Sequence, residues 1–260
     1  MSDLLHPNTF FDKIYCINLE RRPDRWINVK SKFDRLGIDV ERFIASDGKD
    51  IKNLPETSFF NHFMNKSEYG CLMSHKRVVE DAKKNGYKRV LILEDDVLFH
   101  KDFMNLFQRV KDAPEWDMLF LGCNSIVPKH KIQEELENQR GFMKATIESG
   151  SYAYAIDQKF YDEYLNKINT FKYAMASFLV ELRTPDELLR FFYNQNQTLN
   201  INFIKSILPS YLKKTNLYKK HYAMLPKIIL TDISETDIIP KRINQEAFLK
   251  RNGANADDYF

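Results

Sequence analysis

Three carboxylates in a row, Glu94, Asp95 and Asp96, end the apolar run Val90-Leu91-Ile92-Leu93. Adjacent carboxylates repel one another and cannot all be buried as anions without a counter-charge. A divalent cation supplies one: hard cations take oxygen ligands, and Mg²⁺ or Mn²⁺ commonly shares them with a substrate phosphate. The same acids also read as a solvated turn, so their meaning depends on the element that carries them. A second cluster, Asn18 with Arg21, Arg22 and Arg25, follows the apolar stretch Lys13 to Leu19. Guanidinium groups and a helix N-terminus both suit phosphate. Any one of these arginines is better explained by a surface ion pair; as a cluster opposite the acids, they would hold a phosphate-rich ligand between arginine and metal. Ser74 and His75 form a third group, near Glu68 and Gly70. A lone helical histidine reads as a hydrogen-bonded core residue, but a glycine early in a helix costs about 1 kcal/mol relative to alanine unless close approach requires it. Pro185-Asp186-Glu187 opens another helical pattern, where the backbone dipole alone is reason enough for a carboxylate.

The elements that must position these groups follow from periodicity. Lys13 to Leu19 and Val40 to Ile44 read as strands, and Trp26, Val29, Phe33 and Leu36 mark one face of a helix between them, begun by Pro23 and stopped by Gly37. Strand, helix, strand is the unit of a nucleotide-binding α/β domain. Cys71, Leu72, His75, Val78, Val79 and Ala82 give a helix over Ser67 to Asn85, which feeds the strand ending at Glu94. A helix feeding a continuous apolar strand predicts a buried, largely parallel sheet, whose ligands sit beyond the carboxyl ends of the strands. A helix around Phe103 to Val110, strands at Asp117 to Leu121 and Ser151 to Ile156, and a helix over Gln158 to Ile168 complete the pattern. Ser46 to Asn65 and Val127 to Arg140 read as loops. From Phe171 to His221, aromatic residues, asparagines and lysines crowd together without a second set of strands. The expectation is a single domain over 1–260 with a helical insertion at about 171–221. The insertion's lysines form either a solvated helix face or a peripheral contact with an anionic membrane surface.

Hydrophobic residues make up 43% and charged residues 29% of the 260, which excludes a disordered chain. A net charge of +3 is too small to argue for nucleic acid. Cys16, Cys71 and Cys123 lack paired spacing and read as buried thiols of a reducing compartment. No apolar run approaches the ~20 residues that cross a bilayer, and Met1 to Asn8 has no apolar signal core, so a cytoplasmic location is expected. Neither a P-loop lysine motif nor a glycine-rich dinucleotide fingerprint is present, and no Ser/His/Asp or Cys/His arrangement reads as a nucleophile system.

The stretch Ile14 to Arg25, with its Asn18-Leu19-Glu20-Arg21-Arg22-Pro23-Asp24-Arg25 ending, resembles the opening of glycosyltransferase family 25. The resemblance continues in order through Glu68-Tyr69-Gly70-Cys71-Leu72-Met73-Ser74-His75, Val90 to Asp96, Trp116 to Gly122, Ser151 to Ile156, Pro185-Asp186-Glu187 and Ser234 to Ile238. It implies a GT-A-like architecture, a Rossmann-type mixed sheet with a helical C-terminal insertion. It further implies transfer of galactose or glucose from a UDP-sugar, with inversion and with Mn²⁺ or Mg²⁺, to a hydroxyl of a glycan, a lipooligosaccharide or a collagen-like chain. The residues it assigns are Asp96, assisted by Asp95, for the metal, and Asn18, Leu19, Arg22, Arg25, Ser74, His75, Glu94 and Asp95 for the donor. Asp186 becomes the candidate base. The long segment between Glu187 and His221 departs from the family's short join. Two other readings share these residues: a catalytically silent member that binds a glycan or a partner, and a metal-dependent nucleotidyl transferase.

Overall fold

The computed structural model describes residues 4–54, 65–125, 141–144, 148–169, 220–224, 227–232 and 255–260. The expected insertion at 171–221, the excursion at Val127 to Arg140, the Pro185-Asp186-Glu187 element and the Ser234 to Ile238 stretch lie outside them, apart from Lys220 and His221.

A short helix, α1 (Pro7–Phe10), leads into strand β1 (Lys13–Asn18) and helix α2 (Pro23–Leu36). α2 begins at its proline and ends at Gly37, whose φ of 68° closes the last turn in the left-handed region. Strand β2 (Glu41–Ile44) follows, then helix α3 (Lys66–Lys84). A capping box fixes the start of α3: Asn65 accepts from the Glu68 amide and Glu68 accepts from the Asn65 amide. The remaining elements are β3 (Arg89–Glu94), β4 (Val97–Phe99), α4 (Phe103–Phe107), β5 (Met118–Ser125), β6 (Phe142–Lys144), β7 (Glu148–Asp157), α5 (Tyr161–Asn169), β8 (His221–Met224) and β9 (Ile229–Thr231). The helix expected over Phe103 to Val110 is α-helical only to Phe107 and continues as a 3-10 turn to Asp112.

Seven strands form one sheet in the order β2-β1-β3-β7-β5-β8-β6, and β4 pairs separately with β9. β1 runs parallel to β2 and β3, the Rossmann-type half that the sequence announces. The sheet is nevertheless mixed rather than largely parallel, because β7 inserts between β3 and β5 antiparallel to both. Its residues Ser151 to Ile156 are all buried. A strand covered on both faces carries an unbroken apolar run whichever way it points, so the run hides its direction.

The core lies on both faces of this sheet. Tyr15, Ile17, Val90, Ile92 and Tyr154 pack with Leu72, Val78 and Val79 of α3 and with Tyr161 and Tyr164 of α5. Ile14, Cys16, Leu91 and Leu93 pack on the other face with Val29 and Phe33 of α2 and Phe103 and Phe107 of α4. The strict alternation along β1 and β3 therefore makes a three-layer α/β/α sandwich. Because β1, β2 and β3 are parallel, Asn18, Ile44 and Glu94 all reach the same sheet edge, the edge where ligands of such sheets sit. No helix among the described residues is long and apolar enough to cross a membrane.

Candidate functional site

At that edge lies an open pocket lined among others by Leu19, Arg25, Ala45, Gly48, Cys71, Ser74, His75 and the acids Glu94 to Asp96. Two tight contacts build its far wall. A Cβ on Gly70 would lie 2.6 Å from the Ser46 carbonyl oxygen and 2.9 Å from the Gly48 amide nitrogen. Only a glycine lets α3 approach the 45–48 segment so closely, which is the reason for a glycine in the first turns of that helix. Ser74 then fastens the contact: its hydroxyl accepts from the Ser46 amide at 2.8 Å and donates to the Gly70 carbonyl at 2.7 Å.

The acids occupy the turn between β3 and β4. Both oxygens of Asp95 are engaged, Oδ2 by the Asn18 amide at 2.6 Å and Oδ1 by Arg25 at 2.9 Å. Asn18 is buried, donates also to the Arg22 carbonyl, and accepts twice from Arg42 through Oδ1. It is thus the hub that orients Asp95 from β1. Arg42 stacks over Trp26 as well. Burial pushes Asp95 above the ordinary carboxylate range, opposed by Arg25 and Asn18. Asp96 is in a harsher position. Its Oδ1 is buried and has no hydrogen-bond partner among the described residues, and Arg25 is 3.9 Å from its Oδ2. Burial first, then Glu94 and Asp95, push its pKa up to about 8. A buried carboxylate oxygen without a donor, flanked by two more acids, suits a hard cation. Asp96 and its neighbours therefore fit a divalent metal.

Glu94 belongs to a different network. Its Oε1 accepts from the Ser151 hydroxyl at 3.2 Å and lies 3.4 Å from His75 Nε2. The opposite ring nitrogen, Nδ1, is 3.0 Å from the Tyr154 hydroxyl, itself 3.0 Å from that of Tyr164. His75 is buried, with Nδ1 against the Tyr154 hydroxyl and Nε2 beside Ser151 and Glu94. Cys71 is only half-buried and reaches this network from α3, whereas Cys16 and Cys123 are buried.

The structure thus gathers Leu19, Arg25, Ser74, His75, Glu94, Asp95 and Asp96 around one pocket. Asn18 stands behind it. Arg22 pairs with Asp24 and lines an adjoining pocket together with Lys32 and Asp232. Asp186 lies outside the described residues. Sequence reasoning overlooked Arg42, Ser151, Thr231 and Asp232. Thr231 bonds the Asp96 carboxyl, and the Asp232 amide donates to the Asp96 carbonyl at 2.7 Å. No local pattern marks these four; only tertiary pairing brings them in.

Against known proteins, the model of glycosyltransferase family 25 (LPS biosynthesis protein) matches residues 11–196. A Glycosyltransferase 25 family member of Aedes aegypti is 34% identical over 140 residues, covering 48% of this chain and 22% of that protein. One of Drosophila melanogaster is 29% identical over 161 residues, covering 56% and 26% respectively. The human protein named Inactive glycosyltransferase 25 family member 3 is 28% identical over 163 residues, covering 56% of this chain and 27% of its own length. The matched part spans about a quarter of these curated relatives.

Proposed function

This chain belongs to glycosyltransferase family 25, and on that premise we propose that it is a metal-dependent, inverting hexosyltransferase using a UDP-sugar. The observation that carries the reading is the buried Oδ1 of Asp96, without a hydrogen-bond partner among the described residues, on a residue that lines the pocket at the carboxyl edge of the parallel strands. Asp96, with Asp95 beside it, would hold Mn²⁺ or Mg²⁺. A metal bound there supplies Lewis-acid stabilisation of the charge that builds on the departing diphosphate, worth several kcal/mol in comparable sites.

The protein's own groups do the rest. Asn18 and Arg25 orient Asp95 and oppose the upward push of burial on its carboxyl, favouring negative charge where the metal would need it. The close packing of Gly70 against Ser46 and Gly48 gives the donor a rigid wall, limiting the ordering it must undergo on binding. In the transfer itself, the acceptor oxygen forms a bond to the anomeric carbon as the bond from that carbon to the UDP oxygen breaks. The acceptor's proton goes to a base on the opposite face, for which Asp186 is the candidate. Asp186→Asn is then expected to lower transfer about 10²-fold or more while UDP binding persists. Calorimetry with UDP beside a transfer assay checks this, and undiminished transfer returns Asp186 to a helix-start role, where asparagine serves equally well.

A donor screen that reads free UDP tests the whole proposal. UDP-galactose or UDP-glucose is expected to yield UDP with Mn²⁺ present, and none once the ion is chelated. The acceptor is proposed as a glycan, lipooligosaccharide or collagen-like hydroxyl. Relatives named inactive make a silent, binding-only member the competing reading. It predicts no metal-dependent UDP release from any hexose donor, and that outcome would replace the proposal.

A further inference from the structure

Cys71 and His75 are four residues apart on α3, so both project from one face of the helix. That face meets the end of β3. One ligand atom from each of Cys71, His75 and Glu94 lies within 4.8 Å of the other two, and His75 Nε2 is 3.4 Å from Glu94 Oε1. Thiol, imidazole and carboxylate together are the donor set of a borderline-soft cation, unlike the all-oxygen set around Asp96. The imidazole is oriented from behind. The Tyr154 hydroxyl at 3.0 Å can accept a hydrogen bond from Nδ1–H and donate its own to Tyr164, leaving the Nε2 lone pair, beside the Ser151 hydroxyl, directed at the cluster. Histidines that bind metals are typically held by such an outer hydrogen bond. All three residues line the open pocket, so a cation held by them would keep an accessible side. Three protein ligands with an open position is the arrangement of reactive rather than purely structural zinc.

We propose that Cys71, His75 and Glu94 form a second cation site, separate from Asp96, that takes a thiophilic divalent ion of the Zn²⁺ type. Binding there converts the Cys71 thiol to a thiolate, with its proton released to solvent. The proposal does not depend on hexosyl transfer, since its test requires no turnover.

Co²⁺ reports thiolate ligation directly. The full chain, kept reduced and titrated with Co²⁺, is expected to develop a sulfur-to-cobalt charge-transfer band at one equivalent, which Zn²⁺ abolishes. Cys71→Ser should remove the band, and His75→Gln should weaken Co²⁺ binding at least ~10-fold. Asp96→Asn should retain it, which separates this site from the hard-cation site. Zinc-edge X-ray absorption of the wild-type protein needs no variant: one sulfur at about 2.3 Å beside nitrogen and oxygen is expected. A shell without sulfur, no band at saturating Co²⁺, or a band that survives in Cys71→Ser overturns the proposal.

Discussion

Replacing Asp96 by asparagine is expected to make the metal-free protein more stable at pH 8 while removing the metal-dependent transfer proposed for it. Burial and two neighbouring acids hold the Asp96 carboxyl at about 8 in the folded chain, against roughly 3.9 for an unfolded aspartate. Below pH ~4 the group is protonated in both states and contributes no pH dependence. Between ~4 and ~8 the folded state keeps a proton that the unfolded state has released. Stability therefore falls as pH rises through that window, and above it the buried anion is carried at full cost. An amide has no charge to bury, so Asp96→Asn should flatten the decline. At pH 8, its Tm should exceed that of the wild type by several degrees, whereas at pH 4 the two should nearly coincide. The wild type should gain stability from Mn²⁺ through mass action, and the variant should not. UDP release should fall by on the order of 10²-fold or more, the several kcal/mol expected of metal-assisted departure. Thermal melts at the two pH values, with and without Mn²⁺, check the first half, and the UDP assay checks the second. A variant with wild-type turnover, or melting no higher at pH 8, places the cation elsewhere.

The second large effect is expected at Gly70. In an isolated helix, glycine to alanine stabilises by about 1 kcal/mol. Here the added Cβ would sit 2.6 Å from the Ser46 carbonyl oxygen, 2.9 Å from the Gly48 amide nitrogen and 3.3 Å from Gly48 Cα. Those partners are backbone atoms, which cannot swing aside as a flexible side chain can. The sign of the substitution should therefore reverse, with Gly70→Ala losing ~1–3 kcal/mol to overpacking. Since the displaced segment is a wall of the pocket, and Ser74 anchors it through the Ser46 amide, UDP affinity should drop about 10-fold or more with it. Urea unfolding and UDP calorimetry give both numbers. A stabilised variant would mean that the helix and the segment do not meet as described.

What was legible in the sequence was legible for local reasons. β1, α2, α3 and β3 announce themselves because one face or both are continuously apolar and their ends carry a proline, a glycine or a capping pair. The acids, Arg25 and His75 could be singled out because they sit at the ends of those same elements. Even the reason for Gly70 could be framed beforehand, as a helix cost that only a close approach repays. What stayed hidden depends on pairing between distant segments. Arg42 lies on β2, whose residues are half-buried or exposed, so its twofold grip on Asn18 leaves no trace in periodicity. Ser151 reaches Glu94 only because β7 enters the sheet antiparallel beside β3, the feature that the apolar run conceals. Cys71 looked like a core thiol because it falls on the helical apolar pattern, yet its position on α3 brings it to the pocket.

The pairing of β4 with β9 bears on when the site comes into being. Glu94 closes a strand of the main sheet, whereas Val97, three residues on, is registered against Thr231 in the two-stranded sheet. The turn carrying Asp95 and Asp96 is thus anchored at one end by β3, held between β1 and β7, and at the other by a segment about half the chain further on. Closing so long a loop carries an entropic cost that must be met before the contact can stabilise anything. During folding, β1 and β3 can pair while the acidic turn remains ungripped, and its carboxylates stay hydrated and ordinary. In the folded chain Thr231, brought in by the pairing of β9 with β4, bonds the Asp96 carboxyl, whose Oδ1 is buried and in need of a counter-charge. On the proposed function, a cation held at Asp96 would report that these two distant parts of the chain have met.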